Sequence, residues 1–426
     1  MIYFMFNKKS QILDIEATEI ISSGSYPTIE AKVTLGSGLF AKASVPFGVS
    51  SGKTEAVILL DNDKKRFHGQ GMLKAIKNIE QKIRPLLKGQ TIFDQQTIDR
   101  GLMELDGTEN KSRLGANAIL AVSLACNRLA AKASGHHLWA YLIDYYNLPQ
   151  PQNLPQPMAV VIEGGRHADN STDFQEYLLI PGKTKGSVAS TLRKIIETYQ
   201  TLKTILQKNG YSTNIGNEGA YAPEGISSNE KPLQFMLEAI KKSGYIPGKD
   251  INMALDIAAS EFYKKKKYEL ACEKTSLTAA QFIEYQKNLL QHWPLSSIED
   301  GLDQDDWQHW PQLFRSTGRK CLIVGDDLTT TNSKRLQKAI KLQAINAMIV
   351  KPNQIGTVTE TMAAIQICQR NGLEMIVSHR GGGETNDTYI VDLAVACGAR
   401  YLKVGPARGE RVAKYNRLLA IEREEW

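Results

Sequence analysis

A chain of 426 residues with 42% hydrophobic and 23% charged side chains has the balance of a soluble globular protein, and it is too long for one small domain. Its net charge of +7 is scattered in short pieces such as the lysines at 264–267, without interleaved aromatics, which argues against a nucleic-acid partner. Five cysteines form no CxxC pair, and no apolar run approaches the roughly 18 residues of a membrane span, so a disulfide framework, a zinc finger and a membrane protein are all disfavoured.

The first residues are apolar but break at Lys8-Lys9, without the long apolar core of a signal peptide; a cytoplasmic location is the expectation. Residues 10–60 alternate as strands do, for example Ala31-Lys32-Val33-Thr34-Leu35. From 71 to 140 the period changes, and Met72-Leu73-Lys74-Ala75-Ile76 and 120–129 read as amphipathic helices. Strands followed by helices predict an α+β domain over 1–148. Pro149, Pro151, Pro155 and Pro157 form a stiff connector. Beyond it, 159–162 and 177–180 read as two consecutive strands, followed by helical segments near 184–209 and 230–243.

Regular strand–helix alternation begins at Met253. The runs 253–256, 297–299, 322–326, 347–351, 375–379 and 401–403 end in Asp256, Glu299, Asp326, Lys351, His379 and Lys403, with successive ends 43, 27, 25, 28 and 24 positions apart. A spacing of roughly 25 to 30 residues fits a strand, a helix and two loops, the repeat of a parallel β/α barrel. Residues 149–426 are therefore expected to form such a barrel, with these six side chains gathered at its mouth.

Three acids on neighbouring strand ends repel one another unless a cation sits between them, and hard oxygen ligands suit magnesium. The competing reading is three unrelated helix caps. Lys351 closes a buried run, where desolvation and nearby cations lower a lysine pKa and make it a base; Lys403 serves likewise or holds an anion. Taken singly, either is equally a salt-bridged or snorkelling residue. His379-Arg380 precedes three glycines, a turn that exposes N–H groups to an anion. His167 and Glu176 flank a polar loop, and Glu218 lies between glycines, as a ligand-contacting or a turn residue. One decoy is Gly48-Val49-Ser50-Ser51-Gly52-Lys53-Thr54: a phosphate-binding P-loop needs four residues between its glycines, and here there are three.

The ordered motifs LDGTENKSRLGAN (105–117), His167-Ala168-Asp169-Asn170 with Gln175-Glu176, IEDGLDQDDW (298–307), GDDL (325–328), NQIG (353–356), Ser378-His379-Arg380 and VAKYN (412–416) resemble the enolase family over nearly the whole chain. The resemblance implies an α/β fold, a C-terminal TIM-like β/α barrel of enolase type capped by an N-terminal α+β domain. It implies dehydration of 2-phosphoglycerate to phosphoenolpyruvate with two magnesium ions, the lysine-base chemistry of that superfamily. By motif, Lys351 is the base, Asp256, Glu299 and Asp326 hold the first ion, and Glu218 is the general acid, assisted by Glu176. Lys403 and Gln175 contact substrate, His167, His379 and Arg380 surround the phosphate and hydroxyl, and Ser50 reaches substrate and the second ion. A homodimer and a small phosphorylated carboxylate partner are likewise implied.

Several positions depart from the family pattern. The loop that reads Ser-Gly-Ala-Ser-Thr-Gly in the family is Phe47-Gly48-Val49-Ser50-Ser51-Gly52 here, and Ser-His-Arg-Ser-Gly-Glu-Thr gains a residue and loses a serine at Gly381-Gly382-Gly383. Asn-Gly-Gly becomes Glu163-Gly164-Gly165 followed by Arg166, and Gly-Asp-Glu-Gly-Gly becomes Gly216-Asn217-Glu218-Gly219-Ala220. Pro352 follows the base candidate, an unusual neighbour for a barrel strand. Charged positions persist while anion-binding loops change. Three readings stand: ordinary enolase, a paralogue acting on a related phosphorylated or phosphonate carboxylate, and a non-catalytic enolase-fold binding protein.

Overall fold

A computed structural model describes residues 8–48, 52–169, 171–183 and 186–426. The N-terminal α+β domain is built on an antiparallel meander of β1 (Ile12–Ile21), β2 (Pro27–Leu35) and β3 (Phe40–Ser44). Alternate residues of β2, among them Ile29, Ala31, Val33 and Leu35, are fully buried, as period-two patterning requires of a sheet with one covered face. The helix Ala116–Ala133 packs on that face; its alanine-rich sequence, buried nearly all round, allows close approach to the sheet.

The rest of the chain contains β4 (Gln156–Glu163), β5 (Glu176–Pro181), β6 (Ile251–Asp256), a small antiparallel sheet of β7 (Tyr263–Lys264), β8 (Lys267–Leu270) and β9 (Thr275–Leu277), then β10 (Leu295–Glu299), β11 (Leu322–Gly325), β12 (Ala347–Val350), β13 (Glu374–Ser378) and β14 (Tyr401–Val404). Eight of these close into a barrel in the order β10-β11-β12-β13-β14-β4-β5-β6. Its interior is filled by alternate residues of successive strands: Met158 and Val160, Leu178 and Ile180, Ala254, Val324, Ala347 and Ile349, Ile376 and Tyr401. The two helices expected after β5 are present as Val188–Lys208 and Lys231–Lys242.

One expectation needs correction. The barrel is not parallel throughout, because β5 runs antiparallel to both β4 and β6. Among the described residues, the short turn Gly165–His167 is the one helical element between β4 and β5, and with no crossover helix there the chain doubles back. As a result β5 presents its first residue, not its last, at the mouth. The register places Glu163 beside Glu176, Glu176 beside Asp256, and Asp256 beside Glu299. Four acids from four adjacent strands thus share one rim.

Buried polar contacts fasten the N-terminal domain to the barrel. Asp387 accepts the Ser44 N–H at 3.0 Å and pairs with Arg128 at 2.6 Å. Lys111 reaches Glu360 at 2.9 Å, and in the first turn of the helix Val358–Arg370 Ser123 Oγ accepts the Val358 N–H and Asp99 that of Thr359. Among the described residues, no helix is long and apolar enough to cross a membrane.

Candidate active site

A polar pocket opens at the barrel mouth. His167, Gln175, Glu176, Glu218, Asp256, Asp326, Lys351, His379, Arg380 and Lys403 line it together with Gly52, Glu55, Glu261, Asp300 and Asp327. Glu299 lies immediately beneath. All the candidate site residues are therefore brought together except Ser50, which lies outside the described residues.

Lys403, from β14, is the centre of the acid belt. Its Nζ lies 2.9 Å from Asp256 Oδ2, 2.7 Å from Glu299 Oε2 and 2.9 Å from Glu176 Oε2, and its side chain is 1% exposed. Burial opposes the ammonium, but these carboxylates outweigh it and hold its pKa well above the usual lysine value. Burial and the neighbouring Asp256 push the Glu299 carboxyl up. The ammonium marks a point at which Asp256 and Glu299 jointly stabilise positive charge.

Lys351 begins where β12 ends. Its Nζ stands 2.5 Å from Asp326 Oδ2, and Gln354 donates to Asp326 Oδ1 at 2.7 Å. Desolvation was expected to lower the Lys351 pKa. Burial does act in that direction, but Asp326 overrides it and the net displacement is upward. Pro352, unusual inside a strand, is here the first residue of the short helix Pro352–Ile355, where a missing N–H costs nothing.

Asp300 sits behind the metal-ligand candidates and accepts the main-chain N–H groups of Asp326 at 3.0 Å and Asp327 at 2.7 Å. Carboxylate oxygens of Asp300, Asp326 and Asp327 lie within 4.8 Å of one another. Burial and Asp326 push the Asp327 carboxyl up to about 7. Acids outnumber the cations of the pocket, and every donor offered by Asp256, Glu299 and Asp326 is a carboxylate oxygen. That set fits a hard divalent cation.

The opposite side of the pocket carries a second cluster. His167 Nδ1 is 3.6 Å from both Glu176 Oε1 and Glu218 Oε1, and His379 Nε2 is 3.4 Å from Glu218 Oε2. Burial lowers both imidazole pKa values against the pull of Glu218. Arg380 forms a bidentate pair with Glu55, at 2.8 and 3.0 Å, both side chains nearly fully buried. Gly381 passes so close to this cluster that a Cβ there would fall 2.3 Å from Glu218 Oε1. A serine at 381 is incompatible with this placement of Glu218.

Sequence reading missed the roles of Glu55, Asp300 and Asp327. The last two directly follow Glu299 and Asp326 within motifs already noticed. Glu55 carries no such signal, because its partner lies more than three hundred residues away. Glu163 was noticed only as a departure; burial, then Glu218, push its carboxyl up to about 8.

Residues 151–425 match the family model described as enolase, C-terminal TIM barrel domain, and residues 12–142 match that of the enolase N-terminal domain. The chain belongs to the enolase family. Membership supports a magnesium-dependent lyase of the enolase superfamily that acts on small phosphorylated carboxylates.

Proposed function

We propose that this enolase-family chain dehydrates 2-phosphoglycerate to phosphoenolpyruvate. The observation that carries the reading is an opposition across the barrel mouth. Lys351 follows β12, while Glu176 opens β5, four strands further round the eight-stranded ring. The Glu176, Glu218 and His167 cluster therefore faces the lysine across the pocket, with the acids of β6, β10 and β11 along one arc between them.

That layout suits an elimination in which a proton and a leaving group depart from opposite faces of the substrate. Lys351 takes the C2 proton. Charge builds on the adjacent carboxylate, and electrons then flow to expel hydroxide from C3. The cluster of Glu218, Glu176 and His167 delivers the proton that lets hydroxide leave as water. Against burial, His379 and His167 hold the Glu218 carboxyl well below its ordinary value, while burial and then Glu218 push that of Glu176 well above it, so the proton is carried on Glu176. Magnesium held by Asp256, Glu299 and Asp326 would supply the positive charge that makes so weak an acid ionise. In that role Asp326 would no longer pair with Lys351 alone. Arg380 and His379 receive the phosphate, Lys403 and Gln175 contact the substrate carboxylate end, and Ser50 completes a second ion site. A homodimer, a cytoplasmic location and a domain division at 148/149 belong to the same reading.

The test is ultraviolet absorbance of the enol phosphate product with 2-phosphoglycerate and magnesium, run beside Lys351→Ala. A magnesium-dependent rise lost in that variant supports the proposal; no rise from folded, magnesium-binding protein overturns it. One observation favours a second reading. With Glu55 on Arg380 and no side chain at Gly381, the anion seat differs from the family pattern, which fits a related phosphorylated or phosphonate carboxylate.

A further inference from the structure

We propose that Glu163 is a positioning residue that sets Glu218 in place for the loss of hydroxide, a role that rests on the dehydration reading above. Glu163 ends β4 and is fully buried. Its Oε1 accepts the main-chain N–H of Glu218 at 2.9 Å and that of Ala220 at 2.9 Å. One carboxylate oxygen therefore carries the backbone on both sides of Gly219.

The loop is shaped around that carboxylate. Gly216 approaches so closely that a Cβ there would lie 2.5 Å from Glu163 Oε2. Gly219 has φ +84°, and a Cβ on it would meet Ala407 O at 2.5 Å. The main chain of Glu163 donates to Tyr221 O at 2.8 Å, and Tyr221 donates to Val161 O at 3.1 Å. Loop 216–221 is thus laced along β4, and the side chain it sends into the pocket is Glu218.

On the far side, Glu218 is confined by His379 at 3.4 Å, His167 at 3.6 Å and the bare backbone of Gly381. Its backbone hangs from Glu163 while its carboxylate is held between two imidazoles. The family pattern has an amide side chain where Glu163 stands. One Glu163 oxygen accepts both N–H groups, and it can do so whether or not the carboxyl carries a proton. Glu163 therefore holds the mount of Glu218 without touching Lys351, which lies across the barrel.

This separation predicts a split between the two halves of the reaction. Exchange of the C2 proton of 2-phosphoglycerate with deuterated water reports Lys351. Formation of phosphoenolpyruvate reports Lys351 and Glu218 together. In Glu163→Ala two buried N–H groups lose their acceptor, and a shift of this kind costs up to about 10²-fold in rate. We expect dehydration to fall at least about 10-fold while C2 exchange stays within about 3-fold. Glu163→Gln, whose amide oxygen still accepts both N–H groups, should recover most of the dehydration rate. Should Glu163→Ala not fold, Glu163→Asp, which retracts the same carboxylate, must show the same split.

Parallel loss of exchange and dehydration overturns the proposal, as does the loss of neither. Wild-type protein inert in both assays overturns the reaction reading, and the role of Glu163 falls with it. Wild-type protein active in both, with variants that do not split, rejects Glu163 alone.

Discussion

Lys351 Nζ and Asp326 Oδ2 stand 2.5 Å apart, the acid buried and the lysine largely so, at the adjoining ends of β12 and β11. The pair holds the lysine protonated in the absence of a competing cation, although the same lysine is the proposed base. Removal of the amine by Lys351→Ala should lower turnover by about 10²–10⁴-fold, the usual contribution of a general base. Magnesium-dependent stabilisation should survive, because no metal-ligand candidate is altered. Steady-state kinetics and thermal melts of the same preparation check both halves.

The acid belt should respond to magnesium in the fold itself. A ligand at about 100 times its dissociation constant stabilises a protein by about 2.7 kcal/mol. Melting temperature should therefore rise by a few degrees as magnesium is added. Glu299→Gln should flatten that rise, since Glu299 is fully buried and paired with Lys403. An unchanged magnesium response in this variant would place the cation elsewhere.

Arg380 and Glu55 form a buried bidentate pair. Breaking such a pair from one side leaves a buried charge short of its partner, which costs about 3–5 kcal/mol. Glu55→Ala should melt earlier than wild type by that order. Inorganic phosphate at millimolar concentration should restore part of the loss, because the guanidinium that Glu55 covers is the proposed anion seat. If phosphate stabilises wild type and variant equally, Arg380 is not where it binds.

Asp99 predicts a pH dependence of stability. Its carboxylate accepts hydrogen bonds from Thr359 N at 2.8 Å, Thr359 Oγ1 at 2.6 Å, Ser123 Oγ at 2.6 Å and Gln95 Nε2 at 2.9 Å. Burial outweighs these donors and pushes its pKa up to about 6. In the unfolded chain an aspartate titrates near ~3.9. Between these values the folded state binds more protons than the unfolded one, so this group's contribution to stability falls as pH rises from about 4 to about 6, then levels. A displacement of about two units corresponds to about 3 kcal/mol. Urea denaturation of wild type minus Asp99→Asn across pH 4–7 should show that slope; a flat difference would refute it.

Much of the fold was readable because barrel strands are short, fully buried and regularly spaced. The apolar runs ending at Asp256 and Glu299 are strands ending at those residues, the run ending at Lys403 is a strand that continues to Val404, and those ending at Asp326, Lys351 and His379 stop one residue earlier. The two strands and two helices before Met253 were also legible from their periodicity. The antiparallel course of β5 was not, since side-chain alternation is the same in either direction. Direction depends on the connection, and among the described residues the link from β4 to β5 holds no crossover helix.

For the site, the sequence by itself determined which residue types stand at the strand ends: three acids, two lysines and a histidine at intervals that only a closed barrel brings to one mouth. Only the tertiary structure decided their partners and charge states. Lys403 is surrounded by Asp256, Glu299 and Glu176, and Asp326 keeps Lys351 charged, because Coulomb energies in a buried pocket depend on distances of a few ångströms between residues far apart in the chain. Glu55 on Arg380 and Glu163 beneath Glu218 belong to the same class. No local pattern encodes such contacts. They exist only once barrel closure has set separate strands and loops side by side.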